Sequence, residues 1–400
     1  MPAFARRLAR SRVAATVAMT IRARALRAEG ADVLTLTIGE PDFDTPPHAI
    51  EAAHSAALAG DTKYPPQDGT GALKHAVARM FLRDHGLTFA PDQIVVGNGG
   101  KQVIFDALLA TVEEGDEVLI PAPYWSAYAL MTEVCGGTPT FVSCPQNNGF
   151  RLRADDLDAA ITPATRWLLL NSPNNPTGAA LSEADLREIA GVMRGHPHVW
   201  IMSDDMYSHL RYDGEPPLTL AQVAPDLADR VLIVTGVSKT YAMTGWRIGF
   251  GAGPRDLIRA MANMQGQATA GVSTVGQAAA AAALDGPQAA VAESVASYRA
   301  RRDLVVDALA AIPGITCHRP EGAFYVYPCI AGCVGRTTAG GARIDTDEDF
   351  ARALLEEAHV AAVHGAAFGM SPYLRISYAT DAATLRHACG RIAAFVAAFR

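Results

Sequence analysis

The sequence predicts an α/β protein: a mostly parallel sheet with helices on both faces, followed by a smaller α+β unit. Two observations carry this. Between about Pro47 and Leu284, short apolar runs alternate with helical patterns, the order of elements that winds a parallel sheet. After Asp285 the alternation stops, and a long helical stretch leads into a short mixture of strands with a closing helix. A third observation concerns chemistry. Gly97, Asn171, Asp204 and Lys239 each follow directly on an apolar run, and open parallel sheets bind ligands at the carboxyl ends of their strands.

Strands of the first unit are expected at 93–96, 117–120, 140–142, 166–170, 199–202, 231–234 and 246–251. Each is a short apolar run of the kind a buried strand presents. Gly99-Gly100 opens an amphipathic helical pattern that runs through Leu109. The Ala-rich stretch 278–283 is expected as a close-packed helix, because Leu284 and the flanking helices continue its pattern. Beyond it come a helix over 287–311, strands at 324–327, 360–363 and 373–377, and a helix over 382–399. Glycine-rich 332–341 is expected to be a mobile surface loop. The segment through Gly39 is too short to fold alone, so the expected units are 40–286 and 1–39 together with 287–400.

Composition narrows the function. With 400 residues, half of them apolar and 19% charged, the chain reads as a globular enzyme with ample surface to bury. A net charge of -7 argues against a nucleic-acid partner, and Arg6, Arg7, Arg10 and Arg12 read as a solvated helix face. No apolar stretch approaches the roughly twenty residues of a membrane span, and no signal-peptide core opens the chain, so no membrane partner and a cytoplasmic location are expected. Six cysteines do not make a disulfide scaffold. Cys329 and Cys333 lack neighbouring His or Cys ligands, so no metal site is expected. Cys135, Cys144, Cys317 and Cys389 read as small buried hydrophobes.

The most informative stretch is Gly236-Val237-Ser238-Lys239-Thr240-Tyr241-Ala242-Met243-Thr244-Gly245-Trp246-Arg247-Ile248-Gly249. A strand delivers Lys239 into a turn of small residues, and Arg247 follows eight positions later. An amine among backbone amides and a fixed cation suits pyridoxal phosphate (PLP), which a lysine holds as a Schiff base before moving protons. A bare Ser-Lys pair would equally be a surface lysine near a structural arginine. In Ser203-Asp204-Asp205-Met206-Tyr207, a carboxylate at a strand end can pair with a pyridinium nitrogen, and Tyr207 can reach the ring hydroxyl. The same aspartate could simply cap a helix. Asn171-Ser172-Pro173-Asn174-Asn175-Pro176-Thr177-Gly178 is a rigid loop whose Asn175 can donate to a ring oxygen and to a carboxylate, although a turn without a ligand would use these residues too. Val95-Val96-Gly97-Asn98-Gly99-Gly100-Lys101-Gln102 runs strand, glycines, helix, the geometry that holds an anion on free amides. Trp125 could stack on a pyridine ring or pack in a core.

Together these segments resemble the class I aminotransferases of PLP fold type I, specifically the bacterial aspartate aminotransferase branch, from about Thr16 to Thr380. The resemblance implies a homodimer that exchanges amino groups between amino acids and 2-oxo acids by a ping-pong cycle. It implies that Lys239, Asp204 and Tyr207 are catalytic. Phosphate would go to the Gly99, Gly100 and Lys101 amides, Ser238, Arg247 and the neighbouring protomer's Tyr64. Trp125 would lie on the ring, and Gly39, Asn175 and Arg375 would take the α-carboxylate. The branch reads a distal carboxylate with a lysine and a threonine, here Lys101 and Thr16. That favours aspartate, glutamate, oxaloacetate and 2-oxoglutarate. The alternatives are a prephenate, aromatic or broad-specificity aminotransferase, or a PLP β-lyase. A PLP-fold regulator would need a DNA-binding domain, for which 1–39 is too short. Asn98, Ser126-Ala127-Tyr128-Ala129 and Thr269-Ala270-Gly271-Val272 depart from the branch text.

Overall fold

The computed structural model describes residues 4–5 and 15–400. Helix α1 (Ala15–Ala28) leads to a two-residue strand, β1 (Leu34–Thr35). Helix α2 (Pro47–Leu58) opens on proline, where a missing N–H costs nothing. Helix α3 (Gly71–His85) is closed at both ends. The Thr70 hydroxyl accepts the Leu73 amide, and Gly86 turns left-handed at φ 65°.

The winding then proceeds through β2 (Ile94–Gly97), α4 (Gly100–Thr111), β3 (Glu117–Ala122), α5 (Ala127–Cys135) and β4 (Thr138–Ser143). It continues with α6 (Ala154–Ala160), β5 (Thr165–Asn171), α7 (Glu183–Gly195), β6 (Trp200–Asp204), α8 (Leu220–Val223) and β7 (Val231–Gly236). One-turn helix α9 (Val237–Thr240), β8 (Gly249–Ala252), α10 (Arg255–Ala268) and α11 (Thr274–Asp285) complete the unit. The sheet order is β2-β8-β7-β6-β5-β3-β4, parallel from β7 to β4, with β8 antiparallel to both neighbours. Here the structure corrects the sequence. The run expected at 246–251 is a strand only from Gly249, because Thr244–Trp246 is a 3-10 turn and Arg247 sits at φ 58°. The chain then returns antiparallel, β8 pairing with β7 from Ile233–Ala252 to Gly236–Gly249.

The central strands of this sheet are buried on both faces. Leu168 and Leu170 join one apolar cluster with α2, α3, α7 and α11, while Trp167 and Leu169 join another with α4, α5 and α10. In-register pairing of Asn171 with Asp204, and of Asp204 with Val234, ends three strands at one edge. Glycines let α4 come down onto that edge. A Cβ on Gly236 would lie 2.9 Å from the Gly249 Cα, and one on Gly249 would collide with the Gly100 backbone.

The remainder comprises α12 (Ala289–Ala310), β9 (Tyr325–Val326), α13 (Asp347–Ala358), β10 (Val360–Ala361), β11 (Val363–His364), β12 (Leu374–Ser377) and α14 (Ala382–Ala397). Thr346 and Asp349 form a capping box on α13, and Asp381 caps α14. The single strand expected at 360–363 is two: β10 pairs with β1, and β11 joins the antiparallel sheet β11-β12-β9. The pairing of β1 with β10 and the burial of Leu36 in the C-terminal cluster bring residues 34–36 against this unit. The same cluster takes in Tyr207, Leu210 and Tyr212, so the two cores meet beside Asp204. Segment 332–341 is tied down instead of standing free. Cys333 and Thr338 are buried, the Thr338 hydroxyl donates to Glu357 at 2.7 Å, and Thr337 and Arg400 exchange backbone bonds of 2.9 and 3.0 Å.

Among the described residues no helix is long and apolar enough to cross a membrane, and no three His, Cys, Asp or Glu side chains are placed to hold a metal ion. All six cysteines are free.

Candidate active site

A cavity of about 570 Å³ opens over the carboxyl ends of β5, β6 and β7. Gly39, Gly100, Lys101, Trp125, Asn175, Asp204, Tyr207, Ser238, Lys239, Arg247 and Arg375 all line it, so residues up to 336 positions apart in sequence share one wall. Lys239 stands on α9, and its Nζ donates to the Gly39 carbonyl at 2.6 Å. Burial lowers its pKa to about 8; Glu40 opposes that shift, and the Arg247 and Arg375 cations add to it.

Asp204 and Asp205 separate by strand alternation. The Asp204 Oδ1 accepts the Met206 amide at 3.2 Å, and its Oδ2 accepts the Tyr128 hydroxyl at 2.5 Å. Burial raises this carboxyl to about 6, while those two donors and Lys239 pull it back. Asp205 takes the Ser203 hydroxyl at 2.7 Å and does not line the cavity. Burial holds it higher, at about 8, and the Asp204 charge adds to the rise.

Arg375 and Arg247 hold different parts of the cavity wall. Arg375 on β12 donates to the Asn175 Oδ1 at 3.0 Å and to the Thr37 carbonyl at 2.6 Å, and its guanidinium lies 4.7 Å from the Tyr325 ring centre. Its Nε is buried with no partner among the described residues, a donor left for a ligand. Asn171 positions this corner, accepting the Asn175 amide at 2.8 Å and donating to the Asp204 carbonyl at 2.9 Å. Arg247 reaches the loop before α4, where its Nη2 donates to the Asn98 carbonyl at 3.0 Å. Gly99, at φ 82°, leaves it room; a Cβ there would lie 2.5 Å from that nitrogen. The first amides of α4, Ser238 and Arg247 therefore converge as an anion cradle.

Trp125 lies under Lys101, whose Nζ is 4.9 Å from the indole centre. Burial and the neighbouring Arg247 lower the Lys101 pKa. The Tyr207 hydroxyl shares a 3.0 Å bond with Tyr325. Tyr64 is 91% exposed and lines no part of its own chain's cavity. Thr16 falls on α1, but its side chain lies outside the described residues, as do Arg6, Arg7, Arg10 and Arg12. Sequence reasoning missed Tyr128, Asn171 as a positioning group, Tyr325, Glu40, and the α1 face of Val17, Thr20, Ile21 and Arg24. Helical spacing from Thr16 could have found that face. Nothing local marked Tyr325.

A buried lysine, a buried carboxylate, an anion cradle and a buried arginine Nε without a partner among the described residues together fit PLP and an amino acid. The family profile described as aminotransferase class I and II matches residues 31–392. The chain belongs to that family. Aminotransferases of this type use PLP. The chain is 53% identical over 98% of its length to an aspartate/prephenate aminotransferase of Cereibacter sphaeroides, covering 98% of that protein. It is 53% identical to an aspartate aminotransferase of Rhizobium meliloti, covering 93% of this chain and 91% of the relative. Among solved structures, the aspartate aminotransferase from Rhizobium meliloti superposes with a TM-score of 0.98 at 50% identity, covering 100% of both chains. The aspartate aminotransferase from Thermus thermophilus with maleate gives 0.92 at 38% identity, covering 99% of this chain and 100% of the other. The aminotransferase fold expected from the sequence is the one observed.

Proposed function

We propose that this aminotransferase moves amino groups between aspartate or glutamate and the 2-oxo acids oxaloacetate and 2-oxoglutarate, in a ping-pong cycle. The observation that carries this is a pair of separate cations in one cavity, Arg375 with its unpaired Nε and Lys101 above Trp125. A dicarboxylic substrate would occupy both. The names of the relatives, and the maleate in the Thermus thermophilus structure, agree with this reading.

When bound, PLP would supply an electron sink for negative charge at the substrate Cα. Lys239 would hold it covalently and, once released, carry the proton from Cα. Asp204 would keep a positive charge on the ring nitrogen. Tyr207 and Asn175 would bond the ring oxygen, and Trp125 would cover the ring face. The Gly99, Gly100 and Lys101 amides, Ser238 and Arg247 would take the phosphate. Arg375, Asn175 and the Gly39 amide would orient the α-carboxylate, leaving Lys101 and Thr16 for the distal one.

The proposed assembly is a cytoplasmic homodimer in which Tyr64 of one protomer completes the phosphate site of its partner; its exposure beyond its own cavity supports this. Residues 40–286 are proposed as the cofactor-holding unit, and 1–39 with 287–400 as the unit that brings Arg375. A second reading adds prephenate as acceptor, favoured by the name of the Cereibacter sphaeroides relative and by the apolar mouth at Val17 and Ile21. The test is a panel of aspartate, glutamate and phenylalanine against oxaloacetate, 2-oxoglutarate and prephenate. Aspartate and glutamate should lead, and equal kcat/KM for phenylalanine would overturn the dicarboxylate assignment.

A further inference from the structure

Tyr128 belongs to the stretch Ser126-Ala127-Tyr128-Ala129 that the proposed reaction leaves without a role. It sits in the first turn of α5, 2% exposed, in the apolar cluster under the sheet. A buried phenol needs a partner for its hydroxyl. Here that partner is the Asp204 Oδ2, at 2.5 Å. The other oxygen already takes the Met206 amide, so each carboxylate oxygen has one donor and keeps a lone pair free for a ligand. The Tyr128 and Trp125 rings also meet in a T-shaped contact, with centres 5.3 Å apart and planes at 85°. One side chain thus braces both the carboxylate and the indole that face the cavity.

We infer that Tyr128 is a positioning residue: its hydroxyl keeps Asp204 ionised and aimed at the cofactor's ring nitrogen, while its ring fixes the tilt of Trp125. The inference rests on the proposed pairing of Asp204 with that nitrogen. Losing the hydroxyl strips a buried carboxylate of one of its two donors, which weakens the charged form. Phe at this position keeps the ring, the packing and the edge contact with Trp125.

The experiment is a double-mutant cycle on the full-length protein with Tyr128→Phe, Asp204→Asn and both. It reads the PLP dissociation constant by fluorescence titration of the apoenzyme, and the acid limb of kcat in the loaded enzyme. Tyr128→Phe alone should weaken PLP roughly ten- to a hundred-fold, the scale of a hydrogen bond to a charged group. In the Asp204→Asn background the same change should cost less than about threefold, because no charge is left to support. The acid limb should move to higher pH, with KM for aspartate nearly constant. Equal losses in both backgrounds would make Tyr128 a packing residue and overturn the inference, as would an unmoved acid limb. If Asp204→Asn alone leaves PLP affinity intact, the Asp204 assignment falls first and this inference with it.

Discussion

At the floor of the cavity Asp204 and Arg375 are 5% and 3% exposed, whereas at its mouth Val17 and Ile21 are 49% and 59% exposed. The floor groups are fixed before any ligand arrives: Asp204 by Tyr128 and Met206, Arg375 by Asn175 and Thr37, Lys239 by Gly39. At the mouth, Arg24 stands in solvent on one face of α1 with Val17 and Ile21. Preorganised buried groups supply large electrostatic effects, while an exposed charge is screened and supplies little. Under the proposed function, the difference would leave turnover to the floor and fine selectivity to the mouth.

Breaking the floor should cost most. Lys239→Ala would remove both the proposed covalent anchor and the proposed proton carrier, and turnover should drop at least ~10⁴-fold. Borohydride trapping followed by peptide mapping checks the anchor, and trapping on a different lysine would contradict it. Asp204→Ala should bind PLP yet lose turnover by about 10²- to 10³-fold. Near-normal turnover would point to Asp205, whose side chain faces Ser203.

Lys101 lies between the two regions. Lys101→Ala should lower kcat/KM for aspartate about ten- to a hundred-fold and that for phenylalanine far less, since only the former has a tail charge. Equal losses at unchanged PLP occupancy would make the lysine structural. A pH experiment separates the floor from bulk lysines. The amine of Lys239 in the apoenzyme is lowered to about 8, so it is protonated below that pH and free to attack above it. Covalent capture of PLP by the apoenzyme should therefore slow about tenfold per pH unit below 8 and level off above it. A rise continuing to pH 10 would mean that the site does not depress this lysine. Arg24→Ala should change kcat/KM for glutamate by no more than about fivefold, the ceiling for an exposed pair. A larger loss would move α1 from the mouth to the floor.

What could be read in advance follows the same divide. Gly97, Asn171 and Asp204 were legible because each closes an apolar run, and Lys239 because it follows one on the next turn; register pairing then brings the ends of β5, β6 and β7 to one edge. Arg375 was legible only through its match to a family strand, because periodicity does not reveal that β12 reaches Asn175 across the molecule. Tyr128 and Tyr325 escaped notice, since buried tyrosines carry no pattern of their own until their hydroxyls have partners. The antiparallel course of β8 was hidden for a similar reason: Arg247, at φ 58°, gives no warning in its residue type. The hold on segment 332–341 depends on Glu357 and Arg400, both distant in sequence, so its glycines alone suggested freedom.

Gly236, Gly249 and Gly100 meet backbone to backbone beneath the anion cradle. A larger residue at Gly236 or Gly249 has no flexible side-chain tip to push aside, for what it would strike is main chain; at Gly100 it would strike the Met206 methyl instead. Tolerance to substitution in this enzyme is therefore uneven on a very fine scale. Substitutions of the exposed α1 residues Val17, Ile21 and Arg24 would be accommodated by solvent. The seam offers no such room, so a side chain at Gly236 or Gly249 would displace the backbone that supports the cradle.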